Sequence, residues 1–264
     1  MSGLEPLLLY LSLGAFAGFV AGLLGVGGGL IIVPVLIGAW HGPTGADFVV
    51  QMAIGTSLAS IVFTSISSVY AHHRRAAVLW PVFRRLGPGV LLGGWLGAAL
   101  AVELPGTALK IAFGFFELLV AAQMAFGLRP HPRRRLPGVA GMGAAGTVIG
   151  AVSALMGIGG GTLTVPFLAR CNVVAQKAVA TSAACGLPIA VGGALGYVIS
   201  GWTLPGLPPW SAGLVYLPAL GGIVLASMAV APLGAALAHR LSSTGLRRVF
   251  ALFLALLGLW MVLG

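Results

Sequence analysis

Eight apolar segments of about 20 residues follow one another with short connections, and this pattern leaves few folds open to the chain. A helix needs about 20 apolar residues to cross a hydrocarbon core of ~30 Å. Only 7% of the 264 residues are charged, against about a quarter in soluble domains. We therefore expect an all-α fold, a polytopic transmembrane helical bundle. The segments are 4–24, 47–71, 86–102, 107–127, 137–156, 174–200, 212–238 and 245–263.

Two further apolar segments, 30–40 and 162–170, are too short to cross a membrane alone. A helix rises 1.5 Å per residue, so about eleven residues cover roughly 16 Å, near half of the hydrocarbon core. Each segment directly follows a glycine cluster. We therefore expect two half-helices, and the sequence leaves open whether they cross fully.

The two glycine clusters belong to an internal repeat. Residues 22–36, GLLGVGGGLIIVPVL, align without gaps to residues 154–168, ALMGIGGGTLTVPFL, with eight identities in fifteen positions. Further along, AIGTS at 53–57 corresponds to AVATS at 178–182. Such self-similarity indicates that the chain is a duplication. The predicted parts are an N-terminal transmembrane repeat at 1–128, a basic cytoplasmic linker at 129–136 and a C-terminal transmembrane repeat at 137–264.

Most of the 14 Lys and Arg residues lie in three connections, and their distribution predicts an orientation. Lys and Arg are enriched in cytoplasmic loops. Loops 103–106 and 201–211 contain neither residue and are expected outside. The second half is then inverted relative to the first, with about eight full spans, two half-helices and both termini outside. The basic connections are 72–85, 129–135 and 239–248.

The glycine clusters predict a ligand site near the middle of the bilayer. Broken helices at matching positions of inverted repeats mark the site in many secondary transporters. A helix that restarts after such a break aims free N–H groups and its positive dipole end at an anion. Close helix packing is the alternative role for membrane glycines. The predicted binding residues are Gly25, Gly27, Gly28 and Gly29, with Gly157, Gly159, Gly160, Gly161 and Thr162 in the second copy.

A proline follows each glycine cluster at the same distance, and we assign a structural role to both, Pro34 and Pro166. Consecutive glycines disfavour a continuous helix, and proline disfavours it more strongly. A nucleotide-type phosphate loop is excluded, because neither cluster is followed by the Lys-Ser/Thr pair that such a loop needs.

Hydroxyl groups recur at equivalent positions early in two long apolar segments, as Thr56-Ser57 and Thr181-Ser182. Hydroxyls in membrane helices commonly bond to carbonyls of their own helix, which is the alternative for each one. Their duplication favours a substrate-binding role. The glycine before Thr56 is replaced by Ala180 in the second copy, so perfect twofold symmetry is not expected.

Glu117 is the one carboxylate well inside a predicted span, in 107–127. An intramembrane ionisable residue indicates function by default. Coupling to a proton or cation is one possibility, and a structural hydrogen bond is the other. The repeat places Leu254 opposite Glu117, so its role is performed once.

Other functional classes find little support in the sequence. The net charge of +10 lies in short clusters without an aromatic-interleaved basic face, so no nucleic-acid partner is expected. Cys171 and Cys185 have no ligand spacing, so no metal is expected. Asp, Glu and His are scarce within the spans, which argues against an enzyme, and no cofactor is implied.

The two glycine-proline motifs and the Thr-Ser elements resemble those of the sulfite exporter TauE/SafE family, also called the toluene sulfonate uptake permease family. The resemblance spans both halves and the basic linker. It implies a multi-pass carrier of the bacterial or archaeal plasma (inner) membrane for sulfite, sulfonates, sulfoacetate or related sulfur-containing anions. What it implies for individual residues is limited to the glycines, prolines and Thr-Ser pairs named above.

These observations predict a secondary transporter that moves a small anion by alternating access, with the lipid bilayer as its surroundings. An anion-selective channel and a non-transporting membrane subunit of another complex are the alternatives. The sequence leaves open the anion, the direction of transport, the coupling ion and the oligomeric state.

Overall fold

The computed structural model describes residues 4–24, 28–40, 48–127, 135–238 and 243–264, and within these ranges it is almost entirely helical. The one small sheet there is a hairpin of two short strands before the ninth helix. In chain order the elements are α1 Leu4–Leu24, α2 Gly29–Trp40, α3 Val49–Arg74, α4 Trp80–Glu103, α5 Gly106–Ala125, α6 Val139–Leu155, α7 Gly161–Arg170, α8 Ala175–Gly201, β1 Ser211–Ala212, β2 Val215–Tyr216, α9 Leu217–Ala238 and α10 Ser243–Leu263.

The all-α polytopic bundle expected from the sequence is confirmed. Six of the described helices, α1, α3, α4, α5, α8 and α9, are long and apolar enough to cross a membrane. Helix α6, with 17 residues, and the described apolar part of α10, Arg248–Leu263, are shorter. Eight full spans were expected from the sequence. Six of the described helices qualify by length and composition.

Helix α4 begins at Trp80, six positions before the predicted segment 86–102. Pro81 stands at the start of the helix, where its missing N–H costs nothing and its fixed φ suits the first turn. Arg84 and Arg85, expected in a loop, thus lie in an exposed early turn of α4. Apolar patterning missed this turn because its arginines break the hydrophobic run.

Helices α3 and α8 form the centre of the bundle and run in opposite directions. A Cβ built on Gly55 would lie 3.0 Å from the Tyr197 Cβ, and one built on Gly186 would lie 3.4 Å from the Ser65 hydroxyl oxygen. Later residues of α3 therefore contact earlier residues of α8, as expected for antiparallel helices. The other helices surround this pair, so its small side chains are buried.

Two outer helix pairs, α1 with α9 and α4 with α6, pack closely through glycine. A Cβ on Gly18 would lie 2.5 Å from the Ser227 Cα, and one on Gly93 would contact the Thr147 carbonyl. Helices that associate in lipid gain contact mainly by close backbone approach, which small residues allow. In both pairs, later residues of one helix contact later residues of the other, so the helices are parallel. Each pair joins the first helix of one half to the fourth helix of the other.

The last helices of the two halves, α5 and α10, cross at Gly114 and Gly258. A Cβ on either glycine would lie 2.8 Å from the carbonyl oxygen of the other. The Lys110 ammonium lies over the Trp260 ring near the start of α5 and the end of α10. This pair therefore runs antiparallel, like α3 and α8.

Large apolar side chains cover the outward faces of the peripheral helices. Leu119 on α5, Leu225 on α9 and Val249 on α10 are each about 70% exposed, at 70%, 71% and 69%. Contiguous apolar surface on this scale is unusual in a soluble monomer. Lipid is the solvent that these faces require.

Substitution at the α4–α6 contact tests whether close backbone approach holds the bundle. Gly93→Ala is expected to lower the free energy of unfolding by about 1–3 kcal/mol, because the new methyl overlaps the Thr147 carbonyl and forces the helices apart. The measurement is the thermal midpoint of purified protein in detergent. Gly143→Ala on α6 is the matched control, since a Cβ there meets nothing within 4 Å. Equal midpoints for both variants would contradict the packing assignment.

Candidate functional site

The second glycine break begins where α6 ends in a left-handed turn. Gly157 has φ +62°, a conformation that glycine adopts without a steric penalty. Its N–H donates to the Ala154 carbonyl at 3.3 Å, and the Ile158 N–H donates to the Ser153 carbonyl at 3.0 Å. This is the Schellman arrangement, which satisfies carbonyls at a helix C-terminus. The glycine cluster thus terminates α6 as predicted, and α7 begins after it.

The break passes between the two central helices. A Cβ on Gly157 would lie 3.2 Å from the Ile54 Cα of α3, and one on Gly160 would lie 2.6 Å from the Ser182 carbonyl of α8. Neither helix leaves room for a side chain at these glycines. Irregular backbone inside a membrane is tolerated where protein or a cavity surrounds it. Helices α3 and α8 surround this break.

The two breaks contact each other. A Cβ on Gly29, the first residue of α2, would contact the Gly157 carbonyl oxygen and lie 3.0 Å from the Ile158 Cα. Gly28 packs on Ile32 and Ala17 of its own half. Gly25 and Gly27 lie outside the described residues. The structure thus brings the described parts of both predicted clusters to one point.

Both half-helices restart with the same hydrogen bond. The Ile32 N–H donates to the Gly28 carbonyl at 3.0 Å, and the Thr164 N–H donates to the Gly160 carbonyl at 3.0 Å. The N–H groups of Gly161, Thr162 and Leu163, before that bond in α7, donate to no other described backbone group. They are the orphan donors of a helix N-terminus.

The two prolines lie in the middle of the half-helices, and their structural role stays a prediction. Pro34 and Pro166 have no N–H to donate to the carbonyl four residues earlier. The carbonyls that lose this partner belong to Leu30 and Thr162, in the first turn after each break. The prolines therefore leave free carbonyl acceptors near the junction of the halves, beside the free N–H donors of the helix start.

The two predicted serines have different surroundings. Ser57 donates to the Gly157 carbonyl at 2.8 Å and so ties α3 to the second break. Ser182 is fully buried on α8, and its hydroxyl has no hydrogen-bond partner among the described residues. A buried hydroxyl without a partner costs about 1–3 kcal/mol. The Ser182 hydroxyl thus lacks a described partner, whereas the Ser57 hydroxyl has one.

The two predicted threonines accept backbone hydrogen bonds at equivalent positions. Thr56 accepts from the Tyr216 N–H at 3.0 Å, and Thr181 accepts from the Leu79 N–H at 3.0 Å. Tyr216 directly precedes α9, and Leu79 directly precedes α4. Each threonine therefore ties its helix to the residue just before the fourth helix of the opposite half. Their role in substrate binding stays a prediction.

Several other buried hydroxyls lie near the second break, and sequence reasoning found only one of them. Those of Thr162, which was predicted, and of Thr164 and Ser153, which were not, have no partner among the described residues. Ser65 lies four residues beyond Ile61, which packs on Gly159, and faces Gly186. The spacing of Ser57, Ile61 and Ser65 on one face of α3 is a pattern that could have indicated it. In the first half, Leu30 and Ile32 stand where the second has Thr162 and Thr164.

Glu117 lies apart from the breaks, at the α5–α10 crossing. It is fully buried, and neither carboxyl oxygen has a hydrogen-bond partner among the described residues. A Cβ on Gly258 would lie 3.2 Å from the Glu117 Cβ. A structural hydrogen bond to another helix was the alternative role for Glu117, and among the described residues the Glu117 carboxyl makes no such bond.

No cluster of three or more metal-ligating side chains occurs in the part of the chain that the structure describes. Cys171 and Cys185 are both buried and are not joined by a disulfide. A surface depression of about 410 Å³ is lined by residues such as Trp202 and Trp210, before α9. Another, of about 450 Å³, lies between Ala144 of α6 and Phe167 of α7. Neither depression includes the glycine breaks.

Comparison with known proteins gives a consistent assignment. A probable membrane transporter protein of Haemophilus influenzae is 34% identical over 263 residues, which cover 97% of this chain and 98% of that protein. A probable membrane transporter protein of Methanocaldococcus jannaschii is 28% identical over 272 residues, covering 97% of each chain. No solved structure gives a significant match. The family model described as Sulfite exporter TauE/SafE matches residues 10–261, and the chain belongs to the TauE/SafE sulfite exporter family.

Proposed function

We propose that the protein is a secondary transporter of the bacterial or archaeal inner membrane that moves a small sulfur-containing anion, sulfite or an organosulfonate, by alternating access. The family description and the names of the relatives support this assignment. The observation that carries it is the contact between the two glycine breaks, between α3 and α8.

The second break is the better equipped of the two for holding an anion. The first N–H groups of α7 and the hydroxyls of Thr162 and Ser182 are donors without described partners. A helix N-terminus adds the positive end of its dipole. An oxyanion bound there would be stabilised by neutral donors, so no charged side chain is needed at mid-membrane depth. The apolar first break, with Leu30 and Ile32, would contribute close packing through Gly29 instead.

The directions of the helices support inverted halves. Equivalent helices run antiparallel, as α3 does with α8 and α5 with α10, while α1 with α9 and α6 with α4 are parallel pairs. A twofold axis in the membrane plane relates helices in this way. Together with the arginine distribution, this arrangement supports an orientation with both termini and loops 103–106 and 201–211 outside.

The transport site is tested by counterflow in proteoliposomes. Purified protein is expected to take up labelled sulfite against unlabelled internal sulfite, and Ser182→Ala is expected to lower the exchange rate about tenfold because one hydrogen bond to a charged ligand is lost. Ser67→Ala, an exposed serine on α3, is the matched control.

Three outcomes of that experiment would contradict parts of the proposal. Anion conductance without counterflow indicates a channel. Purified protein that neither exchanges nor conducts sulfite or methanesulfonate, yet co-purifies with a stable partner, indicates a non-transporting subunit. A wild-type exchange rate in Ser182→Ala shows that Ser182 is not part of the site.

Coupling is assigned to Glu117, because a buried carboxyl in a span can bind and release a proton as the halves move. Glu117→Gln is expected to abolish the acceleration of uptake by an imposed pH gradient, whereas counterflow exchange persists. The rates are measured in the same proteoliposomes. Glu103→Gln, an exposed carboxylate at the end of α4, should behave like wild type. Gradient-driven uptake that survives in Glu117→Gln argues against the coupling role.

The orientation is tested by labelling single cysteines in a variant without Cys171 and Cys185. Glu103→Cys and Trp210→Cys are expected to react with an impermeant maleimide added outside intact cells. Arg84→Cys should react only after the membrane is permeabilised, since it lies in the basic region before α4. All three side chains are exposed. Labelling of Glu103→Cys and Trp210→Cys from opposite sides would rule out the proposed inversion.

A further inference from the structure

Lys110 is a buried cation that the proposed mechanism does not yet use. It lies in the second turn of α5 and is only 8% exposed. Charged residues within spans are rare and mark ligand pathways or charge partners. A buried lysine in an anion transporter therefore needs an explanation.

No carboxylate pairs with Lys110 among the described residues. The ammonium nitrogen lies over the Trp260 ring, 5.3 Å from the ring centroid. Glu117 lies on the same face of α5, but seven residues further, which is roughly 10 Å along the helix. A cation–π contact is worth about 0.5–2 kcal/mol. That contact orients the ammonium but leaves its charge unneutralised.

The position of Trp260 places Lys110 beside the half-helix α2. The Trp260 ring would lie 3.2 Å from a Cβ on Gly38, in the last turns of α2. The glycine break lies at the other end of the same half-helix, at Gly29, roughly 14 Å away by helix rise. Lys110 is thus near one end of α2, and the proposed anion site is at the other.

An ordinary interfacial lysine would extend its ammonium into the headgroup region. Lys110 instead lies over an aromatic ring and is more than nine-tenths buried. The repeat adds a second observation, because Leu109-Lys110 through Phe113 aligns with Leu246-Arg247 through Phe250. A basic residue thus recurs at the same position of α10, whose start lies at the opposite end of the antiparallel pair.

We propose that Lys110, held by Trp260, is an anion-capture site at the outward end of α2, where it attracts the substrate anion before the anion reaches the glycine breaks. This inference rests on the proposed transport function. The ligand it takes is a small anion in its charged form. The lysine acts on entry from the outside. Its removal should therefore raise the KM for anion supplied outside and leave the maximal rate of transport from that side largely intact.

The test compares initial rates of sulfite and methanesulfonate transport from each side of the membrane, in right-side-out and inside-out vesicles. Lys110→Met, and Lys110→Gln as a second neutral variant, are expected to raise the outward KM, measured with anion supplied outside, about tenfold, with less than a twofold change in the maximal rate of that direction. The inward KM, measured with anion supplied inside, should stay at the wild-type value while the maximal rate from inside falls about tenfold. This follows because a carrier cannot shift the equilibrium and Vmax/KM must change equally in both directions. Lys110→Arg keeps the charge and should restore the outward KM. Lys177→Met, an exposed lysine on α8, is the matched control.

Two results would overturn the capture role. One is an outward KM that neither neutral variant changes. The other is an equal loss of maximal rate from both sides in Lys110→Met, Lys110→Gln and Lys110→Arg, which identifies a packing residue. Wild-type vesicles that move neither anion contradict the transport function itself and are distinguished from both results.

Discussion

The structure depends on one constraint, which is that unpaired backbone inside a membrane must be shielded from lipid. Each unsatisfied backbone group in hydrocarbon costs several kcal/mol. The chain interrupts a helix after α6 and restarts it at α7, and it places this interruption between α3 and α8. Glycine is needed there twice over, for the left-handed turn at Gly157 and for the contact with Gly29. The rest of the bundle provides the enclosure.

Around the two breaks, the halves are similar in backbone and different in side chains. The helix-starting hydrogen bonds, and the bonds that Thr56 and Thr181 accept from backbone N–H groups, occur in both copies. The unpaired hydroxyls that could serve a ligand cluster in the second copy, at Thr162, Thr164 and Ser182. The described donors without partners therefore lie mainly on one side of the paired glycine breaks. The departure at Ala180 belongs to the same asymmetry.

Much of the helical framework could be predicted from the sequence because lipid imposes a simple rule on composition. The half-helices Gly29–Trp40 and Gly161–Arg170 begin within one residue of the predicted segments, since glycine and apolar runs mark both of their ends. The earlier start of α4 was missed because Arg84 and Arg85 hide a helical turn from any hydropathy criterion.

Hydrogen-bond partners were beyond prediction for a different physical reason. Spacing in the sequence showed that Thr56 and Thr181 are equivalent, but it could not show that their oxygens accept the N–H groups of Tyr216 and Leu79. Those partners are distant in the chain and meet only after packing. The same holds for Lys110, whose aromatic neighbour Trp260 lies on the last helix.

The parallel pairing of α1 with α9 has a consequence for how the protein is made. Helix α1 leaves the ribosome well before its main packing partner, because helices α2 to α8 are made between them. At synthesis rates of about 5–20 residues per second, α1 waits on the order of ten seconds or more for α9. During that interval its glycine face meets lipid or the insertion machinery. Neither half can therefore reach its final packing while it is alone in the membrane, and assembly of the bundle is completed only after translation of the second half.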